Sequence, residues 1–404
     1  MLLSPRRRRW PALLVLAFFF FVFVFRNTEI YTVPSSWQEH RIKAHAFPSV
    51  GVTAEDAHGF LIPSVAEGLC AAHNFDLYSK RDARRKVYDL FMVNTELDWL
   101  EIRLNELKDH VDYFVILEAE RTFTGLPKPL YVRDNWERFK AFHEKIILRV
   151  LDDGALESTR TWDHEDLQRN AMFDQVLAPE LTIMPSEDNA LSKEQTPNAG
   201  DVILVSDIDE IPKTAAVTLL RNCDFPRRLT LRSRFYYYGF QWLHRGEDWP
   251  HPQATFYEGA RTVRPADLRN GEGSYGGRNV LQTRLDKADL WNASWHCSTC
   301  FGSVDETTTK MSSFSHTPWN QEAFRQRQWV IERVRNGLDL FDRASEVYDK
   351  VEGRNWDIPA YLLRLRDSTD EEERHRFAYL VDRDPPNANF KDVSMEEAQA
   401  SVAG

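Results

Sequence analysis

The chain has 404 residues, 42% of them hydrophobic and 12% aromatic, and carries a net charge of −11. That is enough apolar material to build a core in one large or two ordinary domains, and it excludes a disordered chain. The acidic balance, with a pI near 5.6, argues against a nucleic-acid-binding surface and leaves only a local arginine cluster to hold an anionic ligand.

Residues 1–9 end in Arg6 to Arg9, and residues 10–25 form an uncharged apolar run closed by Arg26. No small-residue cleavage site follows, so residues 10–25 are predicted to be a transmembrane signal anchor. At helical rise that run reaches ~24 Å, short for an average bilayer but adequate for the thinner membranes of the early secretory pathway. The positive-inside rule then leaves the 1–9 tail cytosolic and everything after Arg26 luminal. Residues 26–86, punctuated by Pro34, Pro48 and Pro63 and closed by KRDARRK at 80–86, are predicted to form a stem. A luminal address permits disulfides among Cys70, Cys223, Cys297 and Cys300, and Asn292-Ala293-Ser294 is a glycosylation sequon consistent with it.

The texture changes at residue 87, where a luminal domain is predicted to run to residue 365. YDLFMVN (88–94) reads as a buried strand, and Thr95 opens a helix with Leu97, Leu100, Leu104 and Leu107 on one stripe. DYFVILE (112–118) and KIILRVL (145–151) are further strands, with short helices over 135–142 and 164–177. Residues 186–200 read as a polar loop. This alternation predicts an α/β fold with a doubly wound, mostly parallel sheet, whose ligand crevice lies at the strand carboxyl ends. Neither G-x-G-x-x-G nor G-x-x-x-x-G-K-[ST] is present, so the usual glycine cradles for phosphate are missing.

DVILVSDIDEIP (201–212) supplies the sharpest signal. Val202 to Val205 run directly into Asp207, Asp209 and Glu210, and alternation along an extended chain would aim Asp207 and Asp209 the same way. Two hard oxygen ligands suit Mg²⁺ or Mn²⁺ holding a diphosphate. Alternatively, Asp209 caps a helix over 213–221 that has Pro212 in its first turn.

After Arg227 the pattern becomes mixed. RRLTLRSRFYYYGFQW (227–242) is β-prone and aromatic, GEGSYGG (271–277) is a glycine-rich loop, and WNASWHCSTCF (291–301) contains a Cys-x-x-Cys pair. Neither a zinc site nor a redox site fits that pair, so a structural bridge is expected, within the pair or to the other cysteines. Arg169 is a candidate cation for a leaving diphosphate, with an ion pair to Glu165 as the alternative. His316 is a candidate metal ligand. Asp305 and Glu306 are candidate general bases, with helix capping as the alternative. Residues 366–404 read as an acidic, solvated tail.

FMVNTELDWLEIRLNEL (91–107), YFVILEAERTFTG (113–125), DVILVSDIDEIP, RFYYYGFQW (234–242), WHCSTCF (295–301) and KMSSFSHTPWN (310–320) together resemble glycosyltransferase family 17. The resemblance implies a GT-A-like fold in a type II enzyme of the Golgi or endoplasmic reticulum membrane. It also implies inverting transfer of GlcNAc from UDP-GlcNAc, in β-1,4 linkage, to a mannose-containing N-glycan. On this resemblance Asp207 and Asp209 hold Mn²⁺ or Mg²⁺, and Asn94, Glu96 and Glu118 contact the nucleotide sugar. Beside them, His316 is expected to complete the metal's coordination, Arg169, Glu210, Trp295 and His296 to bind substrate, and Asp305 or Glu306 to remove the acceptor proton. Two other readings use the same features: a membrane-tethered glycan-binding protein without catalysis, and a metal-dependent sugar-nucleotide hydrolase.

Overall fold

Apolar runs around Phe91, Phe114 and Leu204 become strands buried on both faces, as parallel strands covered by helices must be. The computed structural model describes residues 55–122, 127–152, 161–178, 191–271, 286–313 and 321–400. The predicted anchor at 10–25 and His316 lie outside these. Among the described residues no helix is long and apolar enough to cross a membrane.

Helix α1 (Pro63–Ala72) and the two-residue β1 (Asp76–Leu77) come first. Strands β2 (Val87–Met92), β3 (Tyr113–Glu118), β4 (Ile146–Val150) and β5 (Val202–Asp207) then lie parallel in the order β5-β2-β3-β4. Alternate side chains enter two core clusters. Phe91, Phe114, Ile116 and Leu204 pack with Leu100 and Leu104 of helix α2 (Leu97–Leu107). Leu90, Val115, Leu117 and Val205 pack instead with Met172, Phe173 and Val176, which follow helix α3 (Thr161–Ala171).

Past β5 the sheet becomes mixed. After β6 (Glu210–Pro212), helix α4 (Thr214–Asn222) and β7 (Cys223–Asp224) come β8 (Arg228–Tyr237), β9 (Gly239–His244) and β10 (Gln253–Phe256). Helix α5 (Pro265–Asn270), β11 (Lys287–Ser298), helix α6 (Val304–Ser313), helix α7 (Arg327–Asn336) and β12 (Tyr348–Lys350) complete the site-bearing part. Strand β10 pairs antiparallel with both β5 and β8, whereas β8 and β11 run parallel and β11 takes β6 antiparallel. The sheet therefore forks at Ile208–Asp209: β5 stays with the parallel half, and β6 leaves it to join β11.

Three expectations need correction. Pro212 ends β6 and α4 begins only at Thr214 with Lys213 before it, so Asp209 is not a helix cap. The stem does not extend to residue 86: Phe60, Leu61, Ala66, Tyr78 and Arg85 are buried, and Cys70 is bridged to Cys223. Nor is the acidic tail a solvated appendage. Phe377, Tyr379, Leu380, Phe390 and Val393 are buried, and the fully buried Arg383 donates to the carbonyls of Tyr238, Phe301 and Ala388. A Cβ on Gly239 would lie 2.9 Å from the Leu380 carbonyl oxygen, which shows how closely the tail backbone approaches. The charges of DSTDEEERHR masked apolar side chains too widely spaced to show periodicity.

Both disulfides are structural: Cys297–Cys300 closes a tight turn, and Cys70–Cys223 ties α1 to the end of α4 across 153 residues. Replacing Cys70 and Cys223 together by serine is expected to cost about 2–5 kcal/mol of stability, because so long a loop is released in the unfolded chain. Denaturant unfolding of oxidised wild type and variant measures it, and equal midpoints would refute it.

Candidate active site

Strand β5 carries Asp207 to the carboxyl end of the parallel half, where it lines a cavity of about 780 Å³. Asp209 lines the same cavity but sits in the turn between β5 and β6, so strand alternation is not what brings the two acids together. The fork does so. Behind it, Arg103 of α2, fully buried, donates to the backbone carbonyls of Asp207 and Glu210 at 3.1 and 2.7 Å and clamps the turn.

Cations surround the acids. Arg169 Nη1 and Nη2 lie 3.1 Å from Asp207 Oδ1 and Nη2 lies 2.8 Å from Glu165, so the ion pair expected with Glu165 forms, and the same arginine, buried behind the cavity lining, holds Asp207. Arg269, at the end of α5, lies 2.5 Å from Asp207 Oδ2 and 2.7 Å from Glu210. Lys310 of α6 reaches Glu96 at 3.2 Å and Asp209 at 3.4 Å.

Burial alone would raise the pKa of Glu210, but Arg269 outweighs it and holds the carboxyl well below its usual range. Asp207 is likewise lowered, burial being overcome by Arg269 and Arg169. Burial opposes the Lys310 charge, yet Asp209 and Glu96 raise its pKa. Burial pushes His251 down to about 4 and also lowers His296, so burial favours the neutral form of both rings, which line the cavity.

Glu210 does not reach the cavity. Fully buried, it accepts from the Asp207 amide at 2.9 Å, from Trp249 Nε1 at 2.7 Å and from Arg269, and so positions three parts of the wall. Glu118 is also removed from the cavity, its oxygens accepting from the amides of Val132 and Arg133 at the start of a short helix. Asn94, Glu96 and His296 do line it. Trp295, one residue before His296, faces the other side of the sheet, where its indole donates to Asp357 at 2.9 Å. Helix α6 presents Thr307, Lys310 and Met311 to the cavity; Asp305 is 84% exposed and paired with Arg327, and Glu306 is held by Ser303. Neither expected base therefore lines the cavity.

Sequence reasoning missed Arg269, Lys310 and Trp249. Arg269 and Trp249 lie outside any motif, in segments brought to β5 only by the return of β10. Lys310 was legible, because it sits three and four residues after Thr307 and Glu306 on the helix that capping by Asp305 or Glu306, the alternative to their role as bases, would open. Three buried polar atoms on cavity residues, Asn94 Oδ1, Lys128 Nζ and His296 Nδ1, have no hydrogen-bond partner among the described residues. Groups in that condition are satisfied by water or ligand.

Similar sequences include the β-1,4-mannosyl-glycoprotein 4-β-N-acetylglucosaminyltransferases of Homo sapiens and Rattus norvegicus. They are 26% and 25% identical over 323 residues, covering 75% of this chain and 56% and 55% of the relatives. The chain thus spans about half the length of these relatives. No solved structure matches it. The profile of glycosyltransferase family 17 matches residues 57–352, which include the packed segment once expected to be stem, the acid turn and all the cavity walls. On that match, the chain belongs to glycosyltransferase family 17.

Proposed function

We propose that this protein is an inverting, metal-assisted N-acetylglucosaminyltransferase that moves GlcNAc from UDP-GlcNAc to a hydroxyl of a mannose-containing N-glycan, in β-1,4 linkage. It acts as a type II protein of the Golgi or endoplasmic reticulum membrane, anchored through residues 10–25. Family membership and the names of the relatives support the chemistry and substrates. The observation that carries the reading is the acid turn, Asp207 and Asp209, opening on a cavity lined by the fixed cations Arg269 and Lys310, with Arg169 behind Asp207.

The donor set suits a hard cation. Among the described residues no three His, Cys, Asp or Glu side chains are grouped to hold a metal by themselves. Mg²⁺ and Mn²⁺ do not need such a cage, because one or two carboxylates, substrate phosphates and water complete their coordination. Asp207 and Asp209 would hold the ion, which when bound would polarise the diphosphate.

The chain's own residues do the rest. As the acceptor oxygen attacks the anomeric carbon from the face opposite UDP, the carbon–oxygen bond to phosphate breaks and its electron pair leaves with UDP. Arg269 and Lys310 line the cavity and are fixed in place by Asp207, Glu210, Asp209 and Glu96, so they stabilise the developing charge with little reorganisation, while Arg169 holds Asp207 from behind. The acceptor proton goes to a carboxylate of the cavity; Glu96 and Glu165 line it, each one shared cation away from the acid turn.

The test incubates the full-length protein with a panel of UDP-sugars, Mn²⁺ and a mannose-containing N-glycan oligosaccharide. Transfer from UDP-GlcNAc, lost on chelation and restored by Mn²⁺, is the expected result. Release of UDP with no glycan product would replace this reading with hydrolysis, and full activity under chelation would remove the metal.

A further inference from the structure

The cavity is chemically uneven. Its charged end is the acid turn, joined by Asn94, Arg121 and Lys128 from segments following the parallel strands. From Asp209 a continuous wall leads away: His296 Nε2 at 4.0 Å, the Phe235 ring stacked on His296 at 4.9 Å, His244 at 4.9 Å from Phe235, and Glu346 3.0 Å from His244. The β8–β11 register, His296 opposite Phe235 and Ser298 opposite Tyr237, extends this wall by two residues on the same face. It ends at the loop 339–346, which contributes Phe341, Arg343 and Glu346 to the lining.

That loop is built before any ligand arrives. The buried carboxylate of Asp339 accepts from the amides of Phe341 and Arg343 at 3.0 and 2.9 Å, from the Arg343 guanidinium at 2.7 Å and from Tyr348 at 3.3 Å. Tyr237 in turn lies flat on Tyr348, with centroids 4.5 Å apart. We infer that loop 339–346, with Phe235 and Tyr237, is the subsite for an uncharged saccharide unit of the acceptor, seated against the aromatic wall with a hydroxyl donating to Glu346.

The chemistry favours that occupant over the nucleotide. The one cation here, Arg343, is spent on the buried Asp339, and Glu346 is held by a hydrogen bond to the His244 ring, whereas at the other end Lys128 Nζ is buried without a hydrogen-bond partner among the described residues and can answer a diphosphate. A sugar ring offers an apolar face to aromatic carbons and hydroxyls to a carboxylate that has lone pairs to spare. A fixed loop also spares the ordering cost of binding a flexible glycan.

The inference rests on the transferase reading, and kinetics separates the two. Phe341→Ala and Glu346→Gln are compared with wild type in transfer from UDP-GlcNAc to the mannose-containing oligosaccharide, with UDP binding measured by calorimetry. The acceptor KM is expected to rise at least about tenfold in each variant, in Glu346→Gln because the hydrogen bond loses its charged acceptor and in Phe341→Ala because the sugar face loses an aromatic contact, with the Kd for UDP unchanged. An unchanged acceptor KM with wild-type transfer intact overturns the subsite alone, as does a parallel loss of UDP binding. Glu346→Gln keeps the shape of the loop, so it decides the matter if Phe341→Ala does not fold. If wild type transfers nothing, direct titration of the oligosaccharide decides: binding lost in Glu346→Gln keeps the subsite while the transferase reading falls, and binding that is equal or absent overturns both.

Discussion

Replacing Asp207 by asparagine is expected to lower the turnover of sugar transfer by about 10²–10³-fold without unfolding the protein, and Asp209→Asn is expected to do the same. The asymmetry between activity and stability follows from how the surrounding cations are shared. Arg269 keeps Glu210 at 2.7 Å when Asp207 loses its charge, Arg169 keeps Glu165 at 2.8 Å, and Lys310 keeps Glu96 at 3.2 Å when Asp209 loses its own. No buried cation is left unpaired, so the severe penalty of a broken ion pair is avoided. What disappears is the negative charge at the mouth of the fork, where a divalent cation would be held. Turnover numbers beside thermal melting curves measure both halves. Near wild-type turnover in both variants would dismiss the acid turn as the reaction centre, and collapse of the fold would dismiss the sharing of cations.

The parallel half of the fold was legible because its strands carry the pattern that double-sided burial requires, continuous apolar runs separated by amphipathic helices. The acids were legible for the same reason: they stand at the end of the most apolar of those runs. What could not be read was everything that depends on the return of the chain. Strand β10 inserts between β5 and β8, and β11 collects β6, through pairings between segments tens of residues apart. No local period announces them. Trp249 and Arg269 reach the acids only because of those pairings. Glu118 and Asp305 show the complementary error. A carboxylate after a strand or at a helix start has two common fates, ligand and cap, and only three-dimensional placement tells them apart: Glu118 accepts from the amides of Val132 and Arg133, while Asp305 is spent on Arg327.

Arg103 is expected to be the residue on which both stability and activity depend most. Its five N–H groups are all used: two on Asp89 at 2.7 and 2.8 Å, one on Ser206 at 2.5 Å, and two shared among backbone carbonyls including those of Asp207 and Glu210. Arg103 and Asp89 are completely buried. Arg103→Leu leaves the Asp89 carboxylate without a partner in the core and is expected to cost about 3–5 kcal/mol. Removing that orphan as well, in Asp89→Leu with Arg103→Leu, should return part of the lost stability, since apolar pairs often replace buried ion pairs without penalty. The recovery should be incomplete, because each carbonyl of the turn that loses its donor forfeits about 1–3 kcal/mol. Activity should not return with stability, since the double variant restores packing behind the turn but not the donors that fix its path. Unfolding free energies and transfer rates for the two single variants and the double separate the contributions. A double variant transferring sugar at the wild-type rate would mean that the β6–β11 ladder alone holds Asp207 and Asp209 in place, with Arg103 serving the core and not the site.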